Sequence, residues 1–345
     1  MVEQKVMNMS RNKNIDLLRG ICILLMVICH TIRYMPMRFI IYMFHMPFFF
    51  FCTGYMLKRS SKVNGTLGEK ICHSFKTLMV PYIITSLLQC FFLVFRNIYY
   101  GNEWNKNFVE QILASGLGLS ATKGFFAGVE MSCGPIWFIT CLFFAKVIFL
   151  YMEEKCKNIV SLGACVMVVS TMGMLLSTKY YLPYSIDVSM VACVYIFMGY
   201  LHEDYIAPQI NKKNEKLVYG LIVLLILSVL YCQWNVWILY YNMAGRIYPG
   251  YYISLFVNVC FVILLLRIFK NVEIPILQYL GKKSGLILCV HTLENSFIPY
   301  HYLLRNYDVT TYAYQFRRLA IELVVFIVVC KLSDYIVSVR KNIGV

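Results

Sequence analysis

The sequence is poor in charge, and poorest in acid. Only 14% of its 345 residues are Asp, Glu, Lys or Arg, and 17 are acidic. A soluble domain carries about 25% charged residues. With 60% apolar residues beside so little charge, a water-soluble enzyme is excluded, because a globule of this length cannot hide that much apolar side chain. An intrinsically disordered chain is excluded too, since it needs low hydrophobicity. Cysteine is plentiful, at fourteen, but it lacks pattern. There is no CxxC and no Cys/His metal spacing. Most of the cysteines, among them Cys22, Cys29, Cys141, Cys193 and Cys289, sit inside apolar runs, where a free thiol packs as a small hydrophobe. A disulfide-built secreted domain is thereby excluded, and nothing points to a metal. Internal repeats, low-complexity tracts and linkers are missing as well, so residues 1–345 read as a single domain.

What the chain does have is apolar runs of membrane-crossing length. A helix needs about 20 residues to cross about 30 Å of hydrocarbon. Ten stretches fit: 15–33, 38–57, 75–95, 135–152, 159–177, 183–201, 217–235, 250–269, 284–300 and 318–338. The expected fold class is all-α, a polytopic integral membrane protein of about ten transmembrane helices. The first run is expected to be a span rather than a cleaved leader, because no small-residue cleavage site follows it. Ile274–Leu280 reads as a separate amphipathic segment on the membrane surface. The longest loop, 96–134, has room for a re-entrant or surface helix.

The 32 Lys and Arg give a net charge of +15. In a membrane protein this reflects loops on the cytoplasmic side rather than nucleic acid. With the N-terminus inside, the inner segments hold 19 of these cations and the outer ones 10, with Arg19, Lys146 and Lys331 within spans. Both termini are therefore expected in the cytoplasm.

Ionisable residues inside spans are costly and mark function by default. Three histidines qualify, His30, His45 and His291, and with this orientation all fall in the outer half of the membrane. Asp187, Glu294 and Glu322 lie on the same side. Arg19 lies near the inner end of the first span, 11 residues before His30. Eleven residues make three helical turns plus about 20°, so the two side chains share one face about 16 Å apart. Such a helix suits an anionic donor held inside and chemistry done outside. Blander roles exist. Arg19 could pair with Asp16 or snorkel to the headgroups, and His291 with Glu294 could be a simple i,i+3 pair.

Several strings carry more than statistics. The segment Ile15–Gly20 (IDLLRG) with His30 resembles the opening of the membrane-bound acyltransferase 3 family, the O-acyltransferases of bacterial glycans. That family's first span places an Arg or Lys, ten residues and a His, as Arg19 and His30 do. Phe44–Tyr55 (FHMPFFFFCTGY) resembles its second span. Pro135–Ile139 (PIWFI), Phe197–Tyr200 (FMGY) and Leu280–Ser284 (LGKKS) followed by His291 resemble later motifs. The likeness runs over about residues 12–340, and among relatives it looks closest to the short fucose 4-O-acetylase-like members.

The resemblance implies a multi-pass enzyme of the bacterial cytoplasmic membrane. It would take acetyl-CoA, or another acyl-CoA, from the cytoplasm and acylate a hydroxyl of an extracytoplasmic glycan or lipid-linked saccharide. Arg19 first, and Lys282 and Lys283 after it, would meet the CoA phosphates, which a guanidinium pairs in forked geometry. His30 would be the leading general base. His45 would be a second base, a transient acyl acceptor or an oxyanion donor. Glu294 or Asp187 would orient an imidazole, and His291 would join the same centre. Aromatic residues such as Trp104, Trp237, Tyr240 and Tyr241 would stack on sugars or line the membrane interface. The rival from another class is a transporter or flippase for a glycan precursor, since buried His and carboxylates also serve proton relays.

Overall fold

The first helix starts where its capping chemistry starts. In the computed structural model, which describes residues 12–60, 65–99, 105–120, 132–210, 213–235 and 241–343, the Asn12 side chain accepts from the N–H groups of Asn14 and Ile15. Helix α1 then runs Lys13–Thr31. Pro36 opens α2, Met35–Tyr42, and α3 follows as His45–Ser60. Thr66 and Glu69 cap each other reciprocally at the head of α4, Leu67–Ser74. One π-turn, Phe75–Met79, joins α4 to α5, Val80–Tyr99.

The longest loop carries α6, Asn105–Gly116, as its apolar patches led one to expect. Residues 121–131 of that loop lie outside the described residues, as do Trp104, Trp237 and Tyr240. The central helices are α7, Trp137–Lys155, α8, Ile159–Lys179, and α9, Ile186–Leu201. After them come α10, Glu215–Asn235, and α11, Tyr252–Ile268. Helices α12, Pro275–Lys282, and α13, Ser284–Phe297, follow almost without a break. A short α14, Tyr300–Leu303, leads into α15, Tyr312–Ile343. Among the described residues the sole β feature is one antiparallel bridge between Asn242 and Ile247.

Helices occupy all ten apolar stretches, and among the described residues six stretches are long and apolar enough to cross a membrane by length and composition: Lys13–Thr31, Met35–Arg59, Leu67–Tyr99, Gly134–Lys155, Ile159–Lys179 and Pro183–Gln209. Helix α11 and most of α13 are apolar but shorter. Large apolar side chains point outward along α5 (Leu87, Phe91, Phe95), α8 (Val160, Val168, Leu175) and α10 (Leu217, Leu224). Such faces are stable only against lipid. The protein is membrane-embedded.

The structure adds detail to two expectations. The second stretch is not one helix but two, broken at Met43 and Phe44. Ile274–Leu280 falls in a helix of its own, and this α12 lies directly on α1. A Cβ on Gly20 would sit 2.0 Å from the Leu277 carbonyl oxygen, and one on Gly281 would sit 1.8 Å from that of Asp16. A second pair repeats the device. A Cβ on Gly54 of α3 would meet the Ile196 carbonyl oxygen at 1.8 Å, and one on Gly199 of α9 would meet that of Phe51 at 1.9 Å. Without a hydrophobic drive between helices in lipid, backbones that touch at small residues supply the packing. The glycines in the RG, LG, TGY and MGY strings are thus partners across two helix crossings.

Both crossings are parallel. Near α1 and α12, Lys13 pairs with Glu273 at 3.1 Å and Arg19 with Ser284 at 3.0 Å. At the C-terminal ends of α3 and α9, Lys58 pairs with Asp204 at 3.0 Å and Arg59 with Glu203 at 3.3 Å. The starts of α3 and α9 consequently lie at one end of the bundle.

Candidate active site

The break in the second stretch shapes the first functional group. At the broken turn the Phe44 N–H donates to the Ile41 carbonyl at 3.2 Å. The imidazole of His45 turns back onto the same carbonyl, with Nδ1 at 2.8 Å. A carbonyl only accepts, so Nδ1 carries the hydrogen. In the neutral ring Nε2 is then the bare lone pair. His45 is buried at 5% exposure, packs against the tilted ring of Tyr42 at 5.2 Å, and lines a cavity.

That cavity, of about 660 Å³, runs between α1, α3, the π-turn and α5, α7 and α13. Its walls are mostly apolar, with Ile23, Met26, Phe49, Leu78, Trp137 and Leu286 among them. A few polar groups converge on it, as in a ligand site. His30 and Arg19, three turns apart on α1, both line it, as the shared helix face requires. Arg19 donates to the Ser284 hydroxyl at 3.0 Å, and Ser284 also lines the cavity. The π-turn contributes Thr77 and Leu78, in keeping with the frequent use of such turns at sites.

Behind His30 lies a row of buried polar groups. The ring of His291 is 5.5 Å from that of His30. His291 Nδ1 donates to Glu294 Oε1 at 2.8 Å, both residues being buried. Glu322, also buried, accepts from the Thr31 hydroxyl at 2.5 Å and from Arg318 Nε at 2.7 Å. The ligand atoms of His291, Glu294 and Glu322 lie within 4.8 Å of one another, close enough to converge on a metal ion. Arg318 already places one cation on Glu322. The i,i+3 spacing of His291 and Glu294 was legible. The role of Thr31 was not, because it is brought in from α1, whereas Arg318 and Glu322 stand at i,i+4 on α15.

Comparison with known proteins settles the class. A family model described as an acyltransferase domain matches residues 12–333. The chain belongs to this acyltransferase family. No curated protein matches it, and no solved structure matches it. The membership makes the protein an enzyme that transfers acyl groups.

In this acyltransferase the other site residues expected from the sequence fall elsewhere. Lys282 is exposed, and Lys283 pairs with Asp334 at 2.6 Å and donates to the Ser333 hydroxyl at 3.2 Å. Neither lysine lines the cavity. Asp187 meets a guanidinium rather than an imidazole. Its two oxygens take Arg246 Nε at 2.9 Å and Nη2 at 3.3 Å, and they also accept from Ser177 and the Leu182 N–H. Sequence reasoning counted Arg246 only as a loop charge and missed Asn242, Met243 and Ala244, which line the cavity. No local pattern flags them, since their place depends on a hairpin folding back over the bundle.

Proposed function

We propose that the acyltransferase moves an acyl group, acetyl above all, from cytoplasmic acyl-CoA to a hydroxyl of an extracytoplasmic saccharide. The observation that carries this reading is the single cavity with a guanidinium at one end and two imidazoles at the other. A phosphate-bearing donor places its charge at Arg19 and Ser284 and runs its thioester along the apolar wall to the histidines. The acceptor hydroxyl oxygen attacks the thioester carbon while His30 takes its proton. The tetrahedral adduct then expels the thiolate, and the imidazolium returns the proton to that sulfur. The products are an ester and free CoA.

His291 and Glu294 hold a partner charge behind His30 as it becomes cationic. Neutral His45 has no N–H to spare for an oxyanion, because its one N–H is spent on Ile41. It therefore acts through its Nε2 lone pair, as a second base or as the atom that carries the acyl group. The protein reconstituted in vesicles tests the scheme. With acetyl-CoA on the face carrying Arg19 and a saccharide on the other, the ester should form on the saccharide and CoA should be released on the donor side. Movement of saccharide with no CoA released would favour a flippase.

A further inference from the structure

We infer that the 241–248 hairpin is the element that recognises the saccharide acceptor, with Asn242 as its contacting side chain and the Asp187–Arg246 pair as the clasp that positions it. This rests on the acyl-transfer reading above. The helices give the cavity a mostly apolar wall with single hydroxyls from Tyr42, Thr77, Thr85 and Ser284. Asn242 contributes the sole carboxamide of that wall among the described residues, and an amide, like a sugar hydroxyl, both donates and accepts. The Asn242 backbone pairs with Ile247 through two hydrogen bonds of 2.9 Å, and its Oδ1 accepts from the Gly245 N–H at 3.1 Å. Asn242 thus lines the cavity from a closed turn that holds its carboxamide, preorganised as discriminating contacts must be.

The hairpin also lies at the right end. Asp187 is in the first turn of α9, whose start lies beside the start of α3, where His45 stands. The clasp is built for position. Arg246 side-chain exposure is 2% and that of Asp187 is 0%. The guanidinium stacks over Tyr181 at 4.1 Å and donates to Ser185, Ser120 and the Ala244 carbonyl as well as to Asp187. Arg246 holds φ at +55°, a conformation disfavoured for a residue with a side chain. The turn keeps it because the fork of bonds over-determines it. The Ala244 carbonyl that Arg246 grips belongs to a cavity-lining residue, so the clasp reaches the wall directly.

The experiment uses full-length purified protein, acetyl-CoA and the methyl glycosides of glucose, galactose, mannose and fucose, with ester product measured by mass spectrometry. Asn242→Ala should raise the KM for the preferred glycoside about five- to tenfold, the loss of one net hydrogen bond, and flatten the preference among the four. Ala244→Leu, which leaves every hydrogen-bonding side chain intact, should shift the acceptor preference by filling the wall. Asp187→Asn should raise acceptor KM in the same direction, and Arg246→Lys should raise it less, since the charge stays and the fork is lost. The acetyl-CoA KM should move less than about twofold throughout, a split that mere loosening of the bundle would not produce. An acceptor KM and preference unmoved by both Asn242→Ala and Ala244→Leu would overturn the assignment, as would a donor KM rising in step. Absence of any acceptor-dependent ester from the wild type would instead remove the acyl-transfer reading itself.

Discussion

Two clusters of buried charge in this bundle contain the same chemistry and are bonded differently. Asp187 with Arg246 is closed: both carboxylate oxygens are used, and the guanidinium is spent on an aspartate, two serines, a carbonyl and a ring. The His291, Glu294, Glu322 and Arg318 cluster is open on one side, where His291 faces His30 and His30 faces the cavity. An ionisable residue in a span is therefore an incomplete marker of catalysis. A saturated pair holds structure in place, while a cluster with one side turned to a cavity can pass charge to a substrate.

Substitutions can break that comparison. The largest effect belongs at the open end. His30→Ala should lower turnover by about 10²–10⁴-fold, the usual contribution of a general base, with acyl-CoA binding retained by calorimetry. His45→Ala should do the same, and His45→Gln should rescue nothing, because an amide is neither a base nor a nucleophile. Appreciable activity in His45→Gln would restore the oxyanion role.

The closed pair should answer in stability. Arg246→Met, which strands a buried carboxylate, should cost about 3–5 kcal/mol, read as a lower thermal midpoint of the detergent-solubilised protein. Adding Asp187→Asn in the same chain should recover part of that loss. Glu294→Gln should show the opposite balance: turnover down about 10- to 100-fold, the range of a hydrogen bond to a charged group, and a thermal midpoint close to that of the wild type. Equal shifts in both measurements for both clusters would erase the distinction.

The smallest effect sharpens the donor end. Ser284→Ala removes the partner of Arg19 and should raise acyl-CoA KM by about fivefold, near 1 kcal/mol. Arg19→Ala should cost more, on the order of 2–5 kcal/mol of donor affinity, with Arg19→Lys in between. Unchanged donor affinity in Arg19→Ala would return that residue to a structural role.

Much of the bundle was legible from local rules. Apolar run length marked the helices, because lipid forces the backbone to bond within each segment. Helical periodicity put Arg19 and His30 on one face of α1, and the cavity follows that face. The i,i+3 spacing joined His291 to Glu294. These are relations within one helix, and a helix has a fixed pitch. The break at Met43 and Phe44 lies within a continuous apolar run, and its one signal is Pro47, which has no N–H for the Met43 carbonyl four residues back and crowds it with its ring. Pairing escaped notice. Asp187 looked as available to an imidazole as Glu294 did, since both are carboxylates at similar depth.

Residue order by itself determined the solvent of this chain, its helical class and the axial separation of cation and imidazole, each set by backbone geometry and side-chain transfer energy. The tertiary structure alone decided that Asp187 meets Arg246 rather than an imidazole, and that Thr31 reaches Glu322. That choice depends on crossings where Gly20 meets Gly281 and Gly54 meets Gly199, backbone against backbone across more than a hundred residues. Helix contacts in lipid have no hydrophobic gradient to announce them. The pairing of Asp187 with Arg246 and of Glu322 with Thr31 was therefore fixed by packing shape.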